Sequence, residues 1–179
     1  MRIFFIIVLA YLLSGCKKDQ TLSGNQQILF QVDYSNEAWG PEHSGFFIDS
    51  KGNVITYNNP EEWNNYDNFY HLSEDKLKHN LLNCQVSDKK VPEQDLQKYS
   101  SYIKNIASSK VSARRNVAND SGKTEFICYQ FSESTGTYQG YLIKLEGDYT
   151  SENLNFYSRK ITAWLREISE DINQDKNSD

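Results

Sequence analysis

Few side chains of this chain combine a type and a spacing that could do covalent chemistry. Cys84 is a candidate nucleophile, with His43 or His79 as its base. A reactive thiolate needs a helix N-terminus or a nearby cation to stabilise its negative charge. The pattern around Cys84 instead places it near the C-terminal end of a predicted helix, where the helix dipole disfavours that charge. The sequence therefore argues against a cysteine nucleophile.

Residues 121–124 read SGKT, like the end of a phosphate-binding loop. That motif also requires a glycine five residues before Gly122, where Val117 stands, and it must open a helix. A strand pattern follows here instead. We interpret the segment as a turn.

Metal ligation and hydrolysis need other residue sets. No HExxH or CxxC motif occurs and the three histidines are spread out, so we predict neither a metal nor another cofactor. A carboxylate pair that cleaves a glycosidic bond is defined by its separation in space, not in sequence. A hydrolase that uses acidic residues or His43 therefore stays open as an alternative. It requires a pocket around His43 where polar groups converge.

The third cysteine, Cys16, follows Leu13, Ser14 and Gly15 at the end of an apolar segment. Residues 3–13 are all apolar or Tyr, and Arg2 precedes them. A membrane-spanning helix needs roughly 20 apolar residues, whereas a shorter segment suits the hydrophobic region of a signal peptide. Small residues let the chain enter a protease site in extended form, and a thiol can accept a thioether-linked lipid.

The sequence Leu-Ser-Gly-Cys resembles the lipobox of bacterial lipoproteins, and the following Lys-Lys-Asp is similar to lipoproteins of Bacteroidetes. The resemblance implies cleavage after Gly15, lipidation of Cys16 and a location in the cell envelope. Lys17, in place of the Asp that retains lipoproteins at the inner membrane, implies the outer membrane, on its periplasmic or its surface face. Several acyl chains on one residue form a durable membrane anchor.

Composition restricts the partners and the state of the other cysteines. The chain has 24 acidic and 19 basic residues, for a formal net charge of −5, and 13% aromatic residues. A mildly acidic chain without a basic stripe does not suit nucleic-acid binding, and this composition is typical of a globular domain. With Cys16 lipidated, Cys84 and Cys128 either form a disulfide, which we favour, or remain separate buried thiols.

Periodicity predicts one domain. We assign residues 1–15 to a cleaved signal peptide, 16–27 to the lipidated cysteine and a flexible tether, 28–172 to the domain and 173–179 to a polar tail. Alternating apolar and polar residues predict five strands, with Gly52 in a hairpin turn; these strands are residues 28–34, 43–49, 54–57, 124–131 and 138–146.

Helical spacing predicts three helices around this sheet. Ser73 is the expected N-cap of the first, which carries Leu77, Leu81 and Cys84. Pro92 suits the first turn of the second, whose apolar stripe runs over residues 96–106. The third carries apolar residues over 154–172, with Thr150 or Ser151 as its cap. The order β-β-β-α-α-β-β-α predicts an α+β fold, with an antiparallel sheet of about five strands and helices packed on one face.

Two predicted loops place aromatic rings beside polar side chains. Trp39 lies in residues 37–43, and Trp63, Tyr66 and Tyr70 lie in residues 58–71. Such rings suit a carbohydrate or protein surface, although tryptophans in long loops more often pin the loops onto the domain.

We therefore expect a lipid-anchored envelope protein that is not an enzyme and binds a protein or carbohydrate through these four rings. The alternatives are the hydrolase above and an inhibitor or immunity protein of the envelope. The binding hypothesis requires the four rings to be exposed and clustered.

Overall fold

The computed structural model describes residues 24–176. The signal peptide, Cys16 and the first part of the predicted tether lie outside the described residues, as do the last three residues of the tail. Four helices are α1 (Glu74–Leu82), α2 (Glu93–Ser100), the single turn α3 (Ile103–Ala107) and α4 (Ser158–Lys176). Nine strands are β1 (Ile28–Asn36), β2 (Glu42–Asp49), β3 (Asn53–Asn58), β4 (His71–Ser73), β5 (Gln85–Lys90), β6 (Arg115–Asn116), β7 (Lys123–Ser132), β8 (Thr137–Gly147) and β9 (Tyr149–Glu152).

The strands form one sheet in the order β5-β3-β2-β1-β7-β8-β9-β6, and β4 pairs with the beginning of β8. The pairings between these strands are antiparallel. The α+β class with a mostly antiparallel sheet is confirmed. The expected number of about five strands is too low, because β4, β5, β6 and β9 are short or polar and leave no clear alternation in the sequence.

One face of the sheet packs against α2, α3 and α4. Phe30 of β1 meets Trp164 of α4 edge-on, with ring centroids 5.2 Å apart. Trp164 in turn stacks on Tyr99 of α2 at 4.2 Å. Phe126 and Cys128 of β7 belong to the same buried cluster. Each large apolar side chain buried here stabilises the fold by about 1.5–3 kcal/mol.

The opposite face carries a second cluster, which includes Phe47, Ile127 and Tyr129, and helix α1 packs on it through Leu77 and Leu81. Helices therefore cover both faces, and the expectation of helices on one face is wrong for α1. An apolar stripe shows which side of a helix is buried, but not which face of the sheet buries it.

Local signals succeed at some helix ends and fail at others. Ser73 caps α1 as predicted, and its hydroxyl accepts from the Lys76 amide at 3.3 Å. The stripe over residues 96–106 spans two helices, α2 and α3, which keep one apolar side because both pack on the same cluster. Thr150 and Ser151 lie in β9, so α4 starts later than expected. It also continues into the predicted polar tail.

The folded unit begins before β1, within the predicted tether. Gln26 is buried and donates to the Tyr129 carbonyl at 2.7 Å. Asn25 donates to Glu133, in the turn between β7 and β8, at 3.2 Å. The chain therefore enters the domain beside that turn. Within residues 24–176, no helix has the length and apolar character needed to cross a membrane.

Gly45 of β2 lies between β1 and β3, opposite Asp33 and Tyr57. A Cβ atom there would lie 2.1 Å from the Val32 carbonyl oxygen and 2.5 Å from the Tyr57 hydroxyl. Both atoms belong to the packed sheet, so neither can move away without disturbing its neighbours. A glycine at this position is therefore required by packing.

We expect Gly45→Ala to lower the free energy of unfolding by about 3 kcal/mol, because the added methyl overpacks the sheet. Urea unfolding followed by far-UV circular dichroism measures the effect. Gly24→Ala is the control, since a Cβ at Gly24 meets no atom within 4 Å. Equal midpoints for the two variants would contradict the close packing at Gly45.

Candidate functional site

Four neighbouring strands place polar side chains on the α1 face, close to one end of the sheet. Asp33 of β1 is the antiparallel partner of Glu125 of β7 and of Gly45 of β2. Gly45 is in turn the partner of Tyr57 of β3. Opposed residues on one face have Cβ atoms roughly 4.5–5.5 Å apart. The register therefore brings two carboxylates side by side, with a glycine next to them that leaves room for the Tyr57 ring.

Asp33 is 6% exposed and is held through one of its two oxygens. The Tyr57 hydroxyl donates to Oδ1 at 2.5 Å and the Gln31 amide donates to it at 3.2 Å. His43 Nε2 lies 2.9 Å from the same oxygen. Among the described residues no donor reaches Oδ2, and no buried side-chain oxygen lacks a partner. Oδ2 is therefore an open acceptor that solvent can reach.

Glu125 is 2% exposed, but both of its oxygens are occupied. The Tyr66 hydroxyl donates to Oε2 at 2.5 Å and the Tyr70 hydroxyl donates to Oε1 at 2.7 Å. Lys123 Nζ lies 2.8 Å from Oε2. Charge-assisted hydrogen bonds of this kind are the strong ones in proteins. Glu125 is therefore a fixed charge with its own cation, unlike Asp33.

Burial keeps the tyrosines that surround the two carboxylates in their protonated, donating form. It raises the pKa of Tyr57, and the charge of Asp33 raises it further. Burial likewise raises the pKa of Tyr66 and Tyr70, with contributions from the neighbouring carboxylates. Each hydroxyl is therefore a donor throughout the physiological pH range.

The segment between β3 and β4, residues 59–70, brings Tyr66 and Tyr70 over the sheet. Asn59 and Tyr70, at its two ends, have positive φ angles of 46° and 61°. Gly140 of β8 donates its amide to the Tyr70 carbonyl at 2.8 Å. A Cβ at Gly140 would lie 3.0 Å from the Tyr70 Cβ, so the glycine allows this close approach. The two tyrosine rings stack with centroids 4.8 Å apart.

These residues surround a cleft of about 570 Å³. Asp33, Glu125 and His43 lie in its lining together with Tyr66 and Tyr70. The rest of the lining is mainly polar and comes from the end of β1, the β1–β2 loop (residues 37–41), Glu42, residues 65–68, Arg114 and Lys123. The surface around His43 is therefore concave, as the hydrolase alternative requires.

The four rings predicted to bind a ligand do not form one exposed patch. Trp39 is 87% exposed and lies apart, in the β1–β2 loop. Trp63 is half-buried and packs on Tyr57 at 4.4 Å and on His43 at 5.1 Å. Tyr66 and Tyr70 direct their hydroxyls to Glu125. Three of the rings thus position the polar groups of the cleft.

The structure does not bring Cys84 and Cys128 together, because they pack on opposite faces of the sheet. Both are free thiols. Burial raises the pKa of Cys84 to about 11 and raises that of Cys128 as well. Neither thiol is therefore activated as a nucleophile.

Asp33, Glu125 and Arg114 belong to no motif in the sequence, and Lys123 belongs only to the SGKT segment interpreted as a turn. The available signal was a charged residue within a predicted strand, at positions 33 and 125. The pairing of β1 with β7, which makes these two acids neighbours, is not visible in the sequence. Within the described part of the chain, no three His, Cys, Asp or Glu side chains are arranged to hold a metal ion.

Comparisons of the chain with protein-family models, with curated proteins and with solved structures found no match.

We expect Tyr70→Phe to lower the free energy of unfolding by about 1.5–3 kcal/mol, because it leaves Oε1 of a buried carboxylate without its donor. Chemical denaturation measures the change. Tyr34→Phe is the matched control, since the Tyr34 hydroxyl only accepts a 3.3 Å bond from Asn36 near the surface. A loss no larger than that of the control would show that Glu125 does not depend on Tyr70.

Proposed function

We propose that the protein is a lipid-anchored module of the cell envelope that binds a polar ligand in the cleft. The observation that carries the proposal is Asp33 Oδ2, an open acceptor on a buried carboxylate whose other oxygen is held by three side chains. A volume of about 570 Å³ is within the range of small-molecule sites, roughly 300–1,000 Å³. The polar lining favours a hydrophilic ligand.

The position of the cleft relative to the chain entry supports this role. The chain enters beside the β7–β8 turn, at the beginning of β1. Asp33 and Ser35, near the other end of β1, line the cleft. The strand rise of roughly 3.3 Å per residue separates the two by roughly 20 Å. If Cys16 carries a lipid, the tether therefore joins the domain at the end of β1 opposite the cleft. The cleft then faces away from the bilayer and is open to a ligand in solution.

A hydrolase is the second candidate, because His43 and Asp33 form a bonded pair inside a cleft. With Asp33 ionised, Nε2 of His43 carries the hydrogen and Nδ1 of the neutral ring is left as an acceptor for a water proton. Among the described residues that line the cleft, Glu125 is the only other buried carboxylate, and the two acids form its floor. The two oxygens of Glu125 already accept three donors, which suits a fixed charge better than a proton donor. The geometry therefore favours binding over hydrolysis.

Lipidation is tested on the full chain produced in a bacterial host. Cys16→Ala should yield an uncleaved precursor without lipid, because the thioether has no attachment point. Intact-protein mass spectrometry distinguishes the two forms. Cys84→Ala is the control and should be processed like the wild type. Normal cleavage and lipidation of the Cys16 variant would refute the anchor.

Ligand binding is tested by blocking the cleft. Asn65 is exposed and lines the cleft, so Asn65→Trp should fill part of it and reduce the amount of ligand retained from envelope extracts about tenfold. Asn105→Trp makes the same change on α3, on the other face. Mass spectrometry of the small molecules retained by the full chain measures the difference. Equal retention by both variants would exclude the cleft as the site.

The same incubation separates binding from hydrolysis. A binding module releases its ligand unchanged from the wild type and from His43→Gln. A hydrolase releases cleaved products from the wild type only, since the variant lacks the proton acceptor. The mass of the released compound therefore decides between the two candidate functions.

A further inference from the structure

We infer that the ligand of this cleft carries a cationic nitrogen, an ammonium group, that binds Asp33 Oδ2. This inference rests on the proposed binding function and adds the chemical class of the ligand. It follows from a difference between the two buried carboxylates: among the described residues, Glu125 has a lysine partner and Asp33 has none.

Asp33 lacks a fixed cation, whereas its neighbour has one. Lys123 lies against Glu125. The described residues place no lysine or arginine against Asp33; its only basic partner is His43, on Oδ1. A buried carboxylate is costly unless it is paired and hydrogen-bonded. Tyr57 and Gln31 donate to Oδ1 and His43 contacts the same atom, so the acceptor left for a positive group is Oδ2, the atom that a ligand can reach.

The lining of the whole cleft also carries an excess of negative charge. Five carboxylates line it, and the fixed cations of the lining are Arg114 and Lys123, of which Lys123 is already bound to Glu125. The carboxylates are Asp33, Glu37, Glu42, Asp67 and Glu125. Glu37 and Glu42, on the β1–β2 loop side, form no ion pair with the described residues. A concave surface with an excess of one charge focuses its field and raises the local concentration of the opposite ion.

The lining also limits what else the ligand contains. Apart from Pro41 and the two tyrosine rings, the lining side chains are polar. An ammonium group on a hydrophilic frame, such as an amino sugar or a basic amino acid, fits this surface better than an apolar amine. These two sources share the chemistry that Asp33 recognises, and the experiment distinguishes them.

The experiment titrates the full chain with two matched pairs of probes by calorimetry and NMR. The first pair is glucosamine and N-acetylglucosamine, and the second is Nα-acetyl-lysine amide and Nα,Nε-diacetyl-lysine amide. Within a pair, acetylation of the one free amine removes the only positive charge and keeps the rest of the frame. We expect the ammonium member of one pair to bind at least about tenfold more tightly than its acetylated partner. The pair that shows the effect identifies the frame.

Asp33→Asn tests the contact itself. Asn keeps an oxygen for Tyr57 and Gln31 and turns a donor amide toward the cleft, so affinity for the ammonium probe should fall at least about tenfold. Asp88→Asn makes the same change at an exposed position of β5, outside the cleft lining, and should leave affinity unchanged. If Asp33→Asn does not fold, the double variant Glu37→Gln, Glu42→Gln replaces it. It should bind the ammonium probe severalfold more weakly than the wild type, and added salt should lower the affinity of the wild type for that probe.

Two results would overturn the inference: equal binding of both members of each pair, or no binding of either ammonium probe up to about 10 mM. If neutral probes bind and Asn65→Trp blocks them, the ammonium assignment fails while the binding function stands. If Asn65→Trp changes neither probe binding nor retention from envelope extracts, both fail.

Discussion

The fold depends on one juxtaposition, the two buried carboxylates that face each other across β1 and β7. Like charges directly opposite in a sheet repel, and burial removes the water that would screen them. The pair is therefore stable only if other side chains supply donors and positive charge. Those side chains are Gln31, His43, Tyr57, Tyr66, Tyr70 and Lys123. They come from four strands and one long loop, so a single pair of charges ties five segments together.

This constraint accounts for local features that would otherwise be unfavourable. A bulky residue at positive φ is rare and strained, yet Tyr70 adopts a φ of 61°. Its carbonyl is held by the Gly140 amide and its hydroxyl by Glu125. The loop it ends is long for a connection without regular structure, and such loops usually serve a function. Gly45 is required for a related reason, because the Tyr57 ring must cross β2 to reach Asp33. The strained backbone and the two glycines thus all help to bring tyrosine hydroxyls to the two buried carboxylates.

The features that sequence predicted are those that neighbouring residues determine. Alternation within a strand identified β1, β2, β3, β7 and β8, Ser73 identified a helix start, and Gly52 has the positive φ that its turn needs. Pairing between distant strands follows from the packing of the whole chain, so the meeting of Asp33 with Glu125 was not predictable. The environment of Trp63 likewise depends on packing between distant parts of the chain. A tryptophan in a polar loop suited either a ligand surface or pinning of the loop, and only the packed chain shows that its ring contacts His43.

The chemistry of the cleft follows from the difference between its two acids. If both carboxylates were saturated, the site would be a structural network, and if both were open, they would repel each other without compensation. Here Glu125 is neutralised by Lys123 and fixed by two tyrosines, which lowers the repulsion that Asp33 experiences. Asp33 can then keep one oxygen unoccupied while remaining buried. A rigid acceptor of this kind needs no reorganisation to meet a positive group, and preorganisation is what converts a small contact area into affinity. The fully hydrogen-bonded Glu125 therefore allows Asp33 to keep an oxygen available for a ligand.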